Sequence, residues 1–417
     1  MTLRDVVILG GGPTGATLAA LLAGQGLDVL VVERDPFPRF HVGESLLPSC
    51  MPILARLGVD LARGPFLRKA GAEFVDESRP AGEQTVTFRF SEGLPGTIDH
   101  AYQVERALFD RVLLERARAL GAEVREGVQV LDWHDEQDGP RLVTTQGEVR
   151  ARFGLDASGQ VAFLARRRRT MAPYRDFGRA AAFCHFGPLA PDAVAELAVE
   201  GNVKVFVSPQ GWGWAIPLQD GRLSVGVVGN QGGFSPATLR ALVRGSPLLQ
   251  RLTAGAKSTA PRMIGDFSFQ NTRPYGPRWA CVGDAAGESW ADHGGEASWG
   301  PVKPGYDPPD TSATGLLVLA QAMADHLEDP GFASQDIDAR WLGDLEDAVP
   351  TRTAGSSLLK LAQQGGAAFG AVGALEADAE AVSETAQGED LSIFYPDPMF
   401  RASAVLAPGR GGDEDLL

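Results

Sequence analysis

The sequence predicts an α/β protein: a Rossmann-like nucleotide-binding domain in three layers, interleaved with an antiparallel β-sheet domain and followed by a short helical C-terminal region. Three observations carry this. The first thirty-five residues read as strand, glycine turn, helix and second strand. Residues 107–120 form an amphipathic helix, with Phe109, Val112, Leu113, Ala117 and Leu120 at helical spacing. Residues 180–230 are strand-rich, alternating in Val203-Lys204-Val205-Phe206-Val207 and again over 223–228.

In the N-terminal unit, Asp5 to Leu9 is a short apolar run rich in β-branched residues, which suits a strand buried on both faces. Gly10, Gly12 and Gly15 follow with the spacing G-x-G-x-x-G, and Pro13 and Thr14 open a helix carrying Leu18, Leu21 and Leu22. Gly24 and Gly26 stop it, and Val29 to Val32 make a second strand that ends in Glu33. Glycines there permit a tight turn and let backbone approach a pyrophosphate seated on the helix N-terminus. A carboxylate ending the second strand accepts hydrogen bonds from ribose hydroxyls. The unit therefore predicts dinucleotide binding and leaves FAD and NAD(P) both open.

Bulk properties narrow the partners. The 417 residues are 44% hydrophobic and 22% charged, the balance of an ordinary soluble globular protein with room for two or three domains. A net charge of −15 argues against a nucleic-acid or anionic-membrane partner. Three cysteines, Cys50, Cys184 and Cys281, show no metal-ligand spacing and fit a reducing cytoplasm. No apolar run is long enough to span a membrane, and the glycine-punctuated N-terminus lacks the parts of a signal peptide. Neither G-x-S-x-G nor H-E-x-x-H occurs.

Along the chain, a proline- and glycine-rich loop covers 36–48, a short helix is expected over 49–57, and strands over 123–131, 143–145 and 152–156. Expected boundaries are 1–60, 100–180 and 270–330 for the nucleotide domain and 61–99 with 181–269 for the substrate domain. A helical region over 331–405 and a disordered tail over 406–417 complete the chain. Three further motifs bear on the ligand. Val104-Glu105-Arg106-Ala107-Leu108-Phe109-Asp110 opens the amphipathic helix, while Asp156-Ala157-Ser158-Gly159 and Cys281-Val282-Gly283-Asp284-Ala285-Ala286-Gly287 each end a strand. An aspartate between small residues at a strand end suits a ribityl hydroxyl or a phosphate network.

Singly, each motif is no more than a tight turn. In this order and at these separations they resemble the FAD-dependent monooxygenase, geranylgeranyl reductase and halogenase superfamily over roughly residues 3–330. Within it, the chain resembles the flavin-dependent halogenases on three texts. Gly43-Glu44-Ser45-Leu46-Leu47-Pro48 is similar to their flavin strap, Trp212-Gly213-Trp214-Ala215-Ile216-Pro217 matches their W-x-W-x-I-P strand, and Lys69-Ala70-Gly71-Ala72-Glu73-Phe74 resembles the segment around their active-site lysine.

The resemblance implies FAD, reduced by a partner flavin reductase, and a halide ion. It implies cofactor contacts at Gly10, Gly12, Pro13, Thr14, Gly15, Glu33, Arg34, Arg39, Gly43, Glu44, Ser45, Arg106, Asp156, Gly159, Asp284, Ala285 and Gly287, with Thr314 and Gly315 at the flavin and halide. Lys69 is the implied catalytic residue, with Asp310 as its acidic neighbour, and Trp212, Trp214, Ile216 and Pro217 line the passage between flavin and substrate. Hypohalous acid would travel to Lys69 and there halogenate an aromatic or pyrrole-like ring, free or tethered to a carrier protein. Lysine suits this because burial depresses its pKa, whereas arginine stays charged.

One departure stands out. Residues 288–306 intervene before Asp307-Pro308-Pro309-Asp310-Thr311-Ser312-Ala313-Thr314-Gly315, where the family runs almost directly into such a loop. This places halide binding in question and keeps open a monooxygenase, dehydrogenase or reductase on the same scaffold, and a flavin-binding protein without redox turnover. The run Arg166-Arg167-Arg168-Arg169 reads as a solvated turn more readily than as a phosphate dock, and His41 as a loop histidine without an assigned partner.

Overall fold

The computed structural model describes residues 2–77, 84–93, 98–173, 179–208, 211–230, 235–265 and 269–288. The expected helical region, the tail, the 289–306 part of the insertion, and Asp310, Thr314 and Gly315 lie outside the described residues. Along the chain come β1 (Leu3–Leu9), α1 (Pro13–Gly24), β2 (Val29–Glu33), α2 (Met51–Arg56), β3 (Leu67–Lys69), β4 (Gly71–Asp76), β5 (Gln84–Arg89), β6 (Ala101–Gln103) and α3 (Arg106–Ala119). Next are β7 (Glu123–Glu126), β8 (Val130–Glu136), β9 (Gly139–Thr144), β10 (Gly147–Asp156), α4 (Phe163–Arg168), β11 (Met171–Pro173), β12 (Arg179–Gly187), α5 (Pro191–Ala198), β13 (Val203–Ser208), β14 (Gly211–Pro217) and β15 (Leu223–Asn230). The last are α6 (Pro236–Gly245), α7 (Pro247–Leu252), β16 (Lys257–Ser258), β17 (Arg262–Gly265), β18 (Phe269–Asn271), β19 (Tyr275–Gly276), β20 (Trp279–Cys281) and β21 (Gly287–Glu288).

Two large sheets organise the molecule. In the first, β20, β10, β1, β2 and β7 run parallel in that order, and β9 joins β10 antiparallel. Both faces are covered at its centre, which is why Val6–Leu9 and Val29–Val32 read as continuous apolar runs. Val6, Ile8, Val29 and Val31 pack against α1 and α3. Val7, Leu9, Leu30 and Val32 pack with Trp133, Leu142 and Leu164 of the β8–β9 hairpin and α4. Those are the three expected layers. Helix α1 carries no side-chain N-cap, yet every residue from Gly15 to Ala23 is buried. Burial of Leu18 and Leu22, worth about 2 kcal/mol each, outweighs the missing cap. The strand expected over 123–131 divides, because Gly127 takes a left-handed φ of 70° between β7 and β8.

The second sheet runs β16-β12-β15-β14-β13-β4-β5, with β17 also on β12, and is antiparallel except where β13 meets β4. Helices α5 to α7 bury one face through Leu197, Leu239 and Leu249. The other face gathers Phe183, Trp214, Ile216 and Val228, and Val42 of the 36–48 loop packs onto it. That loop joins a small ribbon of β3 and β6: Ser45 pairs opposite Gln103, the Leu46 N–H donates to Tyr102 O, and the Val104 N–H donates to Glu44 O. The strap thus bridges the two sheets. Among the described residues no helix is long and apolar enough to cross a membrane.

Candidate active site

The ends of β1, β10 and β20 meet at the C-terminal edge of the parallel sheet, where α/β sheets bind ligands. The Ala157 N–H donates to Leu9 O, and the Val282 N–H donates to Asp156 O, so the three motifs share one backbone network. Gly10 has a φ of 106°, and a Cβ there would lie 2.4 Å from Ala157 O. A Cβ on Gly15 would lie 2.0 Å from Gly10 O. These two glycines are fixed by packing. Gly12 is different: a Cβ there would meet only the Arg39 guanidinium, at 3.5 Å, which leaves the start of α1 open to an anion. Gly283 packs on Thr14, joining the third motif to the first. A pyrophosphate fits this cradle by shape and by the polarity of an uncapped helix start.

Around it, Glu33 is buried, and its two carboxylate oxygens accept from the backbone N–H groups of Gly11 and Asp35 at 2.7 and 2.9 Å. It closes the glycine loop and keeps lone pairs for a ribose. Arg34 is exposed and paired with Asp35. Asp110, 0% exposed, takes a two-pronged contact from Arg106 at 2.7 and 3.0 Å and lies 3.4 Å from Arg39. Arg106 also donates to Val42 O at 2.6 Å and to Gly43 O, so one buried carboxylate holds the arginine that holds the strap. At Asp284 the surrounding protein raises the carboxyl pKa, against the opposing pull of His41 and Arg106. His41 is held below its ordinary value, by burial first and Arg106 second.

Two of the expected cofactor contacts have protein partners for their carboxylates. Asp156 is fully buried, and its oxygens accept from the Ser158 and Leu164 N–H groups at 3.0 and 2.7 Å. It fastens the loop to α4, and burial pushes its carboxyl up. Glu44 is also buried, and its carboxylate faces His185 Nε2 at 3.0 and 3.1 Å. The strap's acid therefore anchors it to β12. His185 continues to Arg222, which donates to Glu105 at 2.7 Å. Asp110, His185 and Arg222 were absent from the expected site, since their signal is spatial: only the fold places His185 beside Glu44. Gly159 and Gly287 hold positive φ, and Ala285 is buried under the turn. The arginine run is structural too, with Arg168 on Asp135 and over the Trp279 ring and Arg167 on Asp132.

Ser45 points the other way from Glu44, and its Oγ accepts from Lys69 Nζ at 2.7 Å. Lys69 is 2% exposed, with the Phe90 ring 5.5 Å from Nζ and no carboxylate within ion-pair distance among the described residues. Burial brings its pKa from 10.5 down to about 7, opposed only by the nearby Cys50 thiol. Arg68 and Ala70, on either side of it, line an open cleft of about 500 Å³, whereas the Lys69 side chain turns inward. On β14, Trp212 and Trp214 share a face, 6.2 Å apart, and Trp214 donates to Ser224. An aromatic row continues from Trp214 to Phe183 to Phe40 of the strap at 6.2 and 6.1 Å. Ile216 is buried on the same face, and Pro217 ends the strand. The structure therefore brings together the glycine loop, the strap, Lys69 and the tryptophan strand.

This glycine cradle on a doubly covered parallel sheet defines a dinucleotide-binding protein, and the comparisons make the dinucleotide FAD. The model of the FAD binding domain family matches residues 4–161, and that of tryptophan halogenase matches residues 89–239. A tryptophan 2-halogenase from Chondromyces crocatus is 32% identical over 305 residues, covering 67% of this chain and 55% of the relative. A 1H-pyrrole-2-carbonyl peptidyl-carrier-protein chlorinase from Pseudomonas fluorescens is 30% identical over 318 residues, covering 68% and 70%. Among solved structures, the myxobacterial chondrochloren halogenase superposes with a TM-score of 0.64 at 28% identity, covering 81% of this chain and 78% of that one. A flavoprotein/dehydrogenase from Cytophaga hutchinsonii gives 0.65 at 26% identity. The chain belongs to the flavin-dependent halogenase family. It spans 55% and 62% of the lengths of two of the curated relatives it matches.

Proposed function

We propose that the protein is a reduced-FAD-dependent halogenase acting on an electron-rich aromatic or pyrrole-like ring, free or carrier-tethered, in cytoplasmic secondary metabolism, with a flavin reductase as partner. The observation that carries this reading is Lys69: a buried amine without a carboxylate among the described residues, hydrogen-bonded to the strap, with a pKa of about 7. A buried lysine with no counter-charge among the described residues costs stability, and fold alone gives no reason to keep it.

Bound FAD supplies oxidation of halide by oxygen to hypohalous acid. The chain's own residues do the rest. Gly12 with the start of α1 would hold the pyrophosphate, on the turn that Gly10 and Gly15 allow, and Glu33 would hold the ribose. Arg106, fixed by Asp110, holds the strap by its Val42 and Gly43 carbonyls. Trp212 and Trp214 would keep an organic substrate away from the flavin. Lys69 in its neutral form takes the halogen: an N–X bond forms, the X–O bond breaks, and the amine proton leaves with hydroxide as water. The substrate ring then accepts the halogen, and the ring proton restores the amine.

The test is mass spectrometry of reactions supplied with FAD, a flavin reductase, oxygen and chloride or bromide across a panel of indoles, phenols and pyrroles. A halogenated product from the wild-type chain, lost in Lys69→Ala, is expected. No halogenated product across the panel, with free hypohalous acid also absent, would sink the reading.

A further inference from the structure

We propose that Ser45 is a positioning residue for Lys69: its hydroxyl sets the direction of the Lys69 amine and thereby the transfer of halogen from that amine to the ring. The inference rests on the halogenase reading and goes beyond it, giving the strap a task on the substrate side of the flavin.

The geometry begins with a single contact, Lys69 Nζ to Ser45 Oγ at 2.7 Å. Both of its ends stand on fixed backbone. On the strap, Arg106 holds the carbonyls of Val42 and Gly43, Glu44 is locked on His185, and Ser45 itself pairs opposite Gln103. On the other side, Lys69 pairs opposite Ala101, and the next residue's N–H donates to Glu200 O. A lysine chain has four rotatable carbons, and only a directional partner selects where its nitrogen points.

The charged and titratable groups around it do not select that direction. Glu44 is committed to His185, and the Glu200 carboxylate to Arg89 and Asn202. Arg68 points outward to Asp99. Cys50 lies near enough to favour the ammonium, and Phe90 offers a ring face. The serine hydroxyl accepts from an ammonium and donates to a neutral amine, so it orients Lys69 on both sides of its titration. Alanine does neither.

The test uses the FAD-loaded full chain, wild type against Ser45→Ala and Ser45→Thr, with two readouts. One is the ratio of ring halogenation to free hypohalous acid under reductase, oxygen and bromide. The other is the pH titration of the Lys69 side-chain NMR signal in 13C-lysine-labelled protein, assigned with Lys69→Met. In Ser45→Ala the ratio falls about tenfold or more, as for loss of a hydrogen bond to a charged group, and the titration moves down by about one pH unit. Ser45→Thr restores both. A Ser45→Ala protein with an unmoved titration, or with an unmoved ratio, overturns the proposal. So does a Ser45→Thr protein as defective as Ser45→Ala, which would mark a serine needed only for fit. If the wild type makes neither product nor oxidant, the halogenase reading fails, while the titration still decides whether Ser45 governs Lys69.

Discussion

At the scale of the residue, Lys69 ties stability to activity through one pKa. Its amine titrates at about 7 in the fold against 10.5 for an ordinary lysine. Between these values the unfolded chain binds the extra proton, so stability rises with pH across that window. Below pH 7 both states are protonated and the full penalty of burying the charge stands, on the order of 5 kcal/mol. Lys69→Met is therefore expected to raise the denaturation midpoint, most clearly at pH 6 to 7, with the gain shrinking toward pH 10. Urea unfolding at three pH values measures it, and a gain independent of pH would contradict the assignment. Activity follows pH in the same direction. If the neutral amine takes the halogen, ring halogenation per oxidant formed falls roughly tenfold for each pH unit below 7. A profile that instead falls as pH rises through 7 would make the ammonium the working form.

At the scale of the element, the strap is the part whose sequence said where it lies but not what its side chains hold. Its glycine, proline and aromatic punctuation marked it as a functional loop, and the structure lays it between the two sheets. The individual contacts were legible only in part. Ser45 and Lys69 are twenty-four residues apart and Glu44 and His185 one hundred and forty-one, so no local pattern joins either pair. Asp156 shows the same limit: at a strand end, a carboxylate serving backbone N–H groups and one serving a ligand look alike in the sequence. Asp110 was read only as part of a helix start, yet it carries the clamp. Asp110→Asn is expected to leave Arg106 without its carboxylate, to cost about 3 kcal/mol in chemical denaturation, and to weaken FAD binding by tenfold or more in fluorescence titration. Arg106→Lys, which loses the two-pronged contact but keeps the charge, is expected to weaken FAD binding with a smaller loss of stability.

At the scale of the whole molecule, parallel order was readable because a strand buried on both faces is apolar throughout, as Val6–Leu9 and Val29–Val32 are. The order β20-β10-β1-β2-β7 was not, since register between distant strands leaves no local mark. That architecture also frames the choice between the halogenase and a dehydrogenase on the same scaffold, a choice sharpened by the similarity to a flavoprotein/dehydrogenase. A dehydrogenase or reductase of this kind needs an organic hydride donor or acceptor stacked on the flavin. A halogenase needs that position closed by the strap and the tryptophan strand. Here Phe40 and Val42 of the strap pack on the sheet that carries Trp212 and Trp214, and Arg106 of α3 holds the strap by the carbonyls of Val42 and Gly43. With the strap held at both edges, direct reduction of bound FAD by NADPH is expected to be at least a hundredfold slower than reduction through a separate reductase, a difference of roughly 3 kcal/mol in barrier. Anaerobic stopped-flow spectroscopy of the flavin absorbance, with NADPH alone and with reductase added, measures this difference. Fast reduction by NADPH alone would favour the dehydrogenase or reductase. Dependence on the reductase would leave the oxidising equivalents to pass, through halide, to Lys69.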